Sequence, residues 1–452
     1  MGKSIADLVR LAGVVGAGGA GFPTHVKLAA KADTVIANGT ECEPMLCADQ
    51  HLMATEAATV LEGLRLAMQA TGAKSGIVAV KRHYHDAVAA FERELGRHPG
   101  VRLHLFESFY PAGDEFIVVY DTTGRQVPEA GIPIEVGVVV QNVTTLYNVA
   151  HALRGTPVTD RLVTFAGELA RPATVRIPIG TAFGDVLAEL GGLRRAPLGP
   201  SRGGPIVLVE GGPMMGRVAT PDDVVTKTTG GLLALPAAGP VVTMLSRPLA
   251  QVIRRGRSAC DQCRDCTELC PRSLLGHELQ PHAIMRSINY RVPLPARSVT
   301  AAVLCCECRL CEAFSCPLEL SPCAYAKAIK RELREAGWKN EVHRRRDLRA
   351  SCTRELRRVP VTRLRDRLGL APYAQQTSPL LPERFEPRSV RIPLKMHLGA
   401  PARPVVVPGA RVRCGEPVGA IPDGQLGAAV HASIDGIVRQ VTDKLIHIER
   451  SD

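Results

Sequence analysis

The sequence predicts a multidomain α/β chain, on three observations. Strand-like runs alternate with amphipathic runs from Thr34 to Leu153, two cysteine runs of nearly equal rhythm lie between Cys260 and Cys316, and the segment from Val390 onward breaks into short strands punctuated by Gly and Pro. The alternation is that of an open α/β sheet with helices on both faces, whose ligands sit at the carboxyl ends of its strands. The final segment is that of a compact all-β barrel or sandwich. A chain of 452 residues with 45% hydrophobic content can bury several separate cores. The expected division is 1–158, 159–246, 247–375 and 376–452.

The first unit opens on a short helix from Ser4 to Ala12, with Ser4 as N-cap, Asp7 at the capping-box position and Ile5, Leu8, Val9 and Ala12 on one face. VVGAGGAGFPTHVK follows, in which Gly16, Gly18 and Gly21 satisfy GxGxxG and Pro23 starts a helix. Backbone without side chains can approach a phosphate closely, although the same pattern fits a plain turn. Strands are expected at 34–38, 76–80, 101–107 and 136–141, and helices at 48–70, 84–97 and 143–153. In the second unit TFAGEL and ATVRIPIG read as a hairpin, AFGDVLAELGG as a short helix and PIVLVEGG as a further strand. Pro236 to Arg247 reads as a linker into a third unit that is helical between its cysteine runs.

Cys260, Cys263, Cys266 and Cys270 are followed by Pro271; after 34 residues come Cys305, Cys308, Cys311 and Cys316, followed by Pro317. A thiolate at every third residue brings three sulfurs of one loop onto one face of a cubane and sends the fourth elsewhere, which is the spacing of paired [4Fe-4S] clusters. Exchange of the fourth ligand, usual in two-cluster ferredoxins, groups Cys260, Cys263 and Cys266 with Cys316, and Cys305, Cys308 and Cys311 with Cys270. Zinc is the alternative for CxxC pairs, but zinc ribbons use two separated pairs rather than a continuous CxxCxxCxxxCP. The second run departs from the pattern in having four residues between Cys311 and Cys316, with Cys306 and Cys323 close by, so its fourth ligand stays open. Cys42, Cys47, Cys352 and Cys414 fit ordinary thiols, and His83, His85 and His431 lack metal-ligand spacing.

Fourteen cysteines, most of them at ligand spacing, in a chain that begins MGKSIADLVR without an apolar signal core, fit a reducing bacterial cytoplasm better than a disulfide framework. The uncharged run Gly230 to Ser246 is broken by Pro236 and Pro240 and is too short to cross a bilayer, so no direct membrane insertion is expected. The net charge of +12 is concentrated: Lys327 to Arg367 holds fifteen Lys or Arg against six Asp or Glu. Such a stripe can be a solvated face, a docking surface for an acidic partner or a nucleic-acid footprint. With only Tyr325 and Trp338 available for stacking, no nucleic acid is expected.

Together, GAGGAGFPTHVK, NGTECEP, YPAGDE and VVVQNVTTLYNV resemble the flavin and NADH site shared by the flavin subunit of respiratory complex I and the RnfC proteins. The middle module resembles the soluble-ligand-binding β-grasp (SLBB) domain, the cysteine unit a two-cluster ferredoxin, and the end of the chain the RnfC barrel-sandwich domain. With the barrel last instead of first, the order is similar to that of PduS-type cobalamin reductases of propanediol-utilisation microcompartments. The resemblance implies a Rossmann-like domain in which FMN is held by Gly18, Gly19, Gly21, Lys27, Asn38, Thr40, Glu41, Asn142 and Thr145. It implies NADH contacts from Phe22, by stacking, and from Glu43, at ribose hydroxyls, with Tyr110, Gly113, Asp114 and Glu115 lining the same cleft. Complex I has an acidic residue at the position of Thr40 and glycine at that of Cys42. The barrel also resembles lipoyl domains, but HASIDG carries no lysine at its hairpin tip, so lipoylation is not expected.

The function so implied is an NADH-dependent oxidoreductase that sends electrons through FMN and two [4Fe-4S] clusters to cob(III)alamin or cob(II)alamin. The reaction would support a B12-dependent diol dehydratase inside a bacterial microcompartment, with an adenosyltransferase and shell proteins as partners. A flavin is required because NADH gives electrons in pairs and a cluster takes them singly. No acid–base catalytic residue is expected. The sequence has no DxHxxG corrinoid motif, so the corrinoid would be met at a surface pocket or through a partner. The alternatives are an RnfC-like subunit passing electrons between NADH and ferredoxin in a membrane ion pump, and a non-catalytic, cluster-bearing scaffold or nucleic-acid sensor.

Overall fold

The structure, a computed structural model, describes residues 2–194, 204–290 and 295–451. The first unit runs α1 (Ile5–Leu11), α2 (Thr24–Leu28), β1 (Thr34–Gly39), α3 (Ala48–Thr71), β2 (Ser75–Lys81), α4 (His85–Leu95), β3 (Val101–Phe106), β4 (Phe109–Tyr110), α5 (Glu115–Thr123), β5 (Val138–Asn142) and α6 (Val143–Leu153). The capping box forms: Ser4 accepts from the Asp7 amide, and Asp7 accepts from the Ser4 amide at 3.0 Å. The sheet is parallel throughout, in the order β3-β2-β1-β5. Its strands alternate as the pleat requires: Val35, Ala37, Val78, Val80 and Val139 pack with α3, α4 and α6, whereas Ile36, Ile77, Ala79, Val138 and Val140 pack with α5. The fourth strand starts two residues later than expected, because Pro133–Val136 closes a 3₁₀ turn on Gly137 at φ 75°.

The second unit contains β6 (Asp160–Gly167), β7 (Ala173–Pro178), α7 (Phe183–Glu189), β8 (Ile206–Glu210), β9 (Arg217–Ala219) and β10 (Gly231–Pro236). The hairpin, helix and following strand appear where the sequence places them. The expected linker, Pro236 to Arg247, is mostly helix, and the uncharged run that leads into it is structured from its start. Its first part is β10, buried at every position between β6 and β8, and its second part is α8 (Pro240–Ser246), started by a proline at its first turn. A strand covered on both faces is apolar without alternation, which is why its periodicity gave no sign of it.

The third unit follows with α9 (Leu249–Ala259), α10 (Asp265–Glu268), α11 (Pro271–Leu274), α12 (Pro281–Tyr290), α13 (Ala296–Thr300), α14 (Pro322–Glu335), β11 (Val359–Pro360) and α15 (Val361–Arg367). The span between the cysteine runs is helical, as expected. Beyond it lie β12 (Leu380–Arg384), β13 (Ser389–Pro393), β14 (Arg403–Pro404), β15 (Arg411–Val412), β16 (Pro417–Ala420), β17 (Val430–His431), β18 (Gly436–Val441) and β19 (Leu445–Glu449). β13-β19-β18-β15 and β14-β16-β17 form two antiparallel sheets, with Val390, Ile392, Val418, Val430, Val438, Ile446 and Ile448 buried. The sequence division assigns β12 to this terminal unit, but β12 lies parallel to β7 as an edge of the middle sheet, ordered β12-β7-β6-β10-β8-β9.

The basic stretch is neither a bare solvated face nor a free docking surface. It runs back over the first unit as a strap, with β11 antiparallel to β4. Arg345 meets the Glu129 carboxylate at 2.8 Å, Arg346 meets Glu135 at 3.0 Å, and Arg354 and Arg358 close on Asp121 at 2.7 and 2.9 Å. Arg354 also lies over the Tyr120 ring and Arg358 over that of Phe109, so each guanidinium is half covered by an aromatic face. Burial holds the Asp121 carboxyl above its ordinary value in spite of both cations. Removing that carboxylate would strand two arginines, one of them buried. Asp121→Asn should therefore destabilise the protein by about 3 kcal/mol in chemical denaturation, and a loss below about 0.5 kcal/mol would show that the strap carries no structural load.

Candidate functional site

The glycine loop lies at the carboxyl ends of β1 and β5. Gly19 (φ 111°) and Gly21 (φ 63°) occupy backbone regions that favour glycine, and a Cβ added at Gly19 would meet no atom within 4 Å, so this tip is open. Behind it, the Ala17 amide donates to Thr145 Oγ1 at 2.9 Å, and a Cβ added at Gly18 would meet the Asn142 side chain at 3.6 Å. Asn142 caps α6 by accepting from the Thr144 amide, and donates to Asp49 at 2.6 Å. At the end of β1, Asn38 donates to the Gly113 carbonyl at 3.0 Å and accepts from the Thr40 hydroxyl at 2.6 Å. Lys27 reaches the same end of the sheet, where it meets Glu115 at 2.7 Å and the Val140 carbonyl at 3.0 Å. Gly113 backs onto Thr40 and Cys42, with no room for a side chain. Gly18, Gly19, Gly21, Lys27, Asn38, Thr40, Asn142, Thr145, Gly113 and Glu115 thus lie around the carboxyl ends of β1 and β5, and Phe22, half-buried, accepts from the Gly16 amide at 2.8 Å through its carbonyl.

Other residues sit differently from expectation. Glu41 turns inward, where burial and then the charges of Asp49 and Cys47 push its carboxyl well up and Oε2 has no partner. Glu43, expected at ribose hydroxyls, accepts instead from the Met214 and Met215 amides of the second unit, both at 2.9 Å. Gly212 permits this approach, since a Cβ there would lie 2.0 Å from Glu43 Oε2. Burial, partly offset by those two amides, pushes the Glu43 carboxyl up to about 7. Tyr110, expected to line the cleft, is 1% exposed and donates its hydroxyl to the Cys308 carbonyl at 2.8 Å. A buried tyrosine needs a partner for its polar tip, and the second cysteine run supplies it. Asp114 caps α5 and pairs with Arg272 at 2.8 Å, and that guanidinium lies over the Phe116 ring at 3.5 Å.

Sequence reasoning missed the residues that support the glycine loop from outside its own unit. Arg161 of β6, nearly buried, donates to the carbonyls of Ala17 at 2.7 Å and Lys227 at 2.9 Å. Lys227 donates to the carbonyls of Gly13 and Ala429, both at 2.6 Å, and burial lowers its ammonium to about 7. The Leu398 amide of the terminal unit donates to Gly21 at 3.0 Å. A charged side chain in an otherwise buried strand segment, as at Arg161, is the only signal the sequence offered.

The two cysteine runs share one backbone. Gln262 (φ 62°) and Arg264 (φ 72°) are left-handed in the first, Glu307 (φ 61°) and Arg309 (φ 59°) in the second. These positions fall two and four residues after Cys260 and after Cys305, so Cys305, not Cys306, is the counterpart of Cys260. The extra residue before Cys316 is absorbed by a π-type turn at Cys311–Ser315, with the Ser315 hydroxyl donating to the Leu310 carbonyl at 3.1 Å. Cys316 stands beside Cys266, and Cys270 stands by Cys305 and Cys306. Sulfurs accept from nearby amides: Glu307 to Cys305 at 3.3 Å and Leu320 to Cys316 at 3.4 Å. Burial pushes the Cys266 and Cys270 thiols up to about 12, so occupancy by iron would release protons that these groups otherwise keep. Soft thiolate donors presented on two such loops fit iron–sulfur clusters.

The environments of the runs differ. The second abuts the first unit through Tyr110, and through Arg272, which lies between Asp114 and Cys306. In the first, Cys263 is exposed, whereas Cys266 and Cys270 are buried and Glu268 is held by Arg357 of the strap.

Family models match in series. A Nuo51 FMN-binding domain matches residues 9–151, an SLBB domain 162–218, a 4Fe-4S dicluster domain 259–321 and an RnfC barrel sandwich hybrid domain 374–451. The cobalamin reductase PduS of Salmonella typhimurium is 43% identical over 99% of this chain and 96% of its own length. That of Citrobacter freundii is 42% identical over 99% and 97%. A component of the Na(+)-translocating ferredoxin:NAD(+) oxidoreductase complex of Acetobacterium woodii is 37% identical, but over 59% of this chain and 58% of its own. With the first two the match runs end to end, terminal barrel included, and the chain belongs to the PduS-type cobalamin reductases, flavin- and iron–sulfur-dependent oxidoreductases of the RnfC and complex I flavin-subunit superfamily.

Proposed function

We propose that this chain takes electrons from NADH in its first unit and delivers them singly to a corrinoid at the first cysteine run. The observation that carries the direction is the contact of the second run, through Tyr110 and Arg272, with the cleft-bearing unit, while Cys263 of the first run is exposed. FMN, when bound, accepts a hydride and gives electrons up one at a time to [4Fe-4S] clusters.

In this reading Gly18, Gly19, Gly21, Lys27, Asn38, Thr40, Asn142 and Thr145 hold the flavin. The open glycine tip and the Lys27 ammonium meet phosphate charge, and Asn38 and Thr40 present polar atoms to the ring. Glu41 contributes by its backbone, since its carboxyl is buried. Phe22 offers a face to the nicotinamide nucleotide, with Gly113 and Glu115 beside it. Glu43 binds the 212–215 loop over the cleft, and Asp114 and Tyr110 hold the second cysteine run against it. Cys305, Cys308, Cys311 and Cys270 form the inner ligand set, and Cys260, Cys263, Cys266 and Cys316 the outer one. No proton need be moved by a side chain.

The units correspond to a Rossmann-like FMN domain, a β-grasp domain, a ferredoxin-like domain and a barrel-sandwich domain. The reductase names of the end-to-end relatives support a corrinoid acceptor; cob(III)alamin or cob(II)alamin, a propanediol-utilisation microcompartment as setting, and an adenosyltransferase and shell proteins as partners are part of the same proposal. Among the described residues no helix is long and apolar enough to cross a membrane.

Anaerobically purified protein should show flavin and cluster absorbance, bleach with NADH and reduce aquacobalamin; flavin that NADH does not bleach would reverse the proposed direction. Tyr110→Phe removes one hydrogen bond of about 1 kcal/mol at the contact between the first unit and the second run. It should leave flavin bleaching by NADH unchanged and slow aquacobalamin reduction roughly fivefold. Glu43 gives a pH signature: raised from 4.5 to about 7, its carboxyl binds a proton more tightly folded than unfolded. Its contribution to stability is then complete below pH ~4.5 and lost as pH rises toward ~7. Glu43→Gln should remove that part of the slope of melting temperature against pH, and an unchanged slope would show that Glu43 is not the group involved.

A further inference from the structure

Two buried cations of the second unit hold the glycine loop, and neither is paired with a carboxylate. Arg161, the second residue of β6, is 7% exposed and spends its guanidinium on three backbone carbonyls, those of Thr229, Lys227 and Ala17. Lys227, 3% exposed, gives its ammonium to the carbonyls of Gly13 and Ala429. Among the described residues, no Asp or Glu oxygen lies within 4.0 Å of either cation. The carboxylates whose charges reach Arg161 from farther off are engaged elsewhere or held toward their neutral form. Asp49 accepts from Asn142 at 2.6 Å and from Thr144 at 2.7 Å, Glu210 accepts from Thr229 at 2.6 Å and pairs with Arg217, and burial pushes the Glu41 carboxyl well up. Lys27, the cation expected at a phosphate, already shares its charge with Glu115 at 2.7 Å. A buried charge is costly unless an opposite charge answers it, and Arg161 and Lys227 are the charges left to be answered.

The grip of Arg161 reaches the open tip of the loop through a single peptide group. The Ala17 carbonyl that accepts from its guanidinium at 2.7 Å is bonded to the Gly18 nitrogen, and a cation on the oxygen makes the N–H of the same peptide a stronger donor. Gly18, Gly19 and Ala20 are all exposed, and their amides donate to no described residue. Lys227 accepts from Arg161 at its own carbonyl and anchors Gly13, so both positive charges stand against one loop.

We propose that Arg161, seconded by Lys227, makes the first unit select a phosphorylated flavin over an unphosphorylated one, its charge acting through the Ala17–Gly18 peptide as counter-ion to the phosphate dianion. This rests on the reading of the first unit as a flavin site. Arg161 is a positioning residue, and cofactor selection in the first unit is thereby set from the second.

The test uses full-length protein, purified anaerobically and freed of flavin, titrated with FMN and with riboflavin while the quenching of flavin fluorescence is followed; iron content checks the fold. Wild type should bind FMN at least about 100-fold more tightly than riboflavin. Arg161→Gln, which keeps a donor but not the charge, should weaken FMN binding roughly 30-fold and riboflavin binding by less than about threefold. Arg161→Lys, which keeps the charge, should recover most of that preference. Equal loss for both flavins in Arg161→Gln, or Arg161→Lys no better than Arg161→Gln, would overturn the proposal and leave Arg161 as a brace. Wild type that binds both flavins alike would overturn it without any variant while the flavin site stood. Wild type that binds neither would remove the flavin reading itself, and this proposal with it.

Discussion

The separation between the flavin cleft and the first thiolates beyond it is the constraint on which this molecule depends, because electron transfer weakens steeply with distance. A few buried charges fix that separation. Asp114 both caps α5 at the cleft and pairs with Arg272, which lies against Cys306 and over the Phe116 ring. Both side chains are nearly buried, so neither charge is tolerable without the other. A buried pair of this kind adds little net stability over an apolar contact, but it admits one register only. The strap completes the arrangement from the other side, where Arg354 and Arg358 converge on Asp121 in the same helix α5. One short helix therefore carries the cleft on its first turn and the clasp on its last.

The glycine loop is governed by a second version of the same logic. Its backbone oxygens are satisfied from behind, Ala17 by Arg161 and Gly21 by Leu398, while Gly18, Gly19 and Ala20 remain exposed. Electron-rich atoms are turned away from the place a phosphate would occupy. The supports come from the second and terminal units, and Lys227 ties both to Gly13. This explains how a barrel domain at the end of the chain can serve a site at its beginning. What matters is that the 396–398 segment reaches Gly21, not where the barrel falls in the sequence.

Much of this was legible in the sequence, and the limits were physical. Periodicity located all four strands of the parallel sheet and the long helices that cover it, Ser4 and Asp7 declared their cap, and the cysteine spacing declared its chemistry. Each is a signal contained within about a dozen residues. What escaped depends on partners far away in the chain. β12 joins β7 across roughly two hundred residues of sequence, and nothing local in LLPER says so. The resemblance implied nucleotide contacts for Glu43 and Tyr110, but their polar atoms are taken by the second unit and by Cys308. The arginines of the strap looked like surface charge because their carboxylates, Asp121, Glu129 and Glu135, lie in another unit.

The cysteine runs show why ligand identity alone does not give a direction. The loops share left-handed residues at the same two offsets and the same thiol donors, and the last cysteine of each stands beside the other run. A symmetric pair could carry charge either way. Asymmetry enters through what covers each loop. Tyr110 of the first unit meets the second run, Arg272 of α11 joins Asp114 to Cys306, and the π-type turn lengthens the path to Cys316 without displacing it from Cys266. The first run is held by Arg357 of the strap at Glu268 and leaves Cys263 exposed. Burial and hydrogen bonding to sulfur tune cluster potentials, so unequal cover gives the two sites unequal potentials as well as unequal access. Direction is thus a property of the packing around two equivalent loops, and it would be lost by loosening α5 before it was lost by altering any ligand.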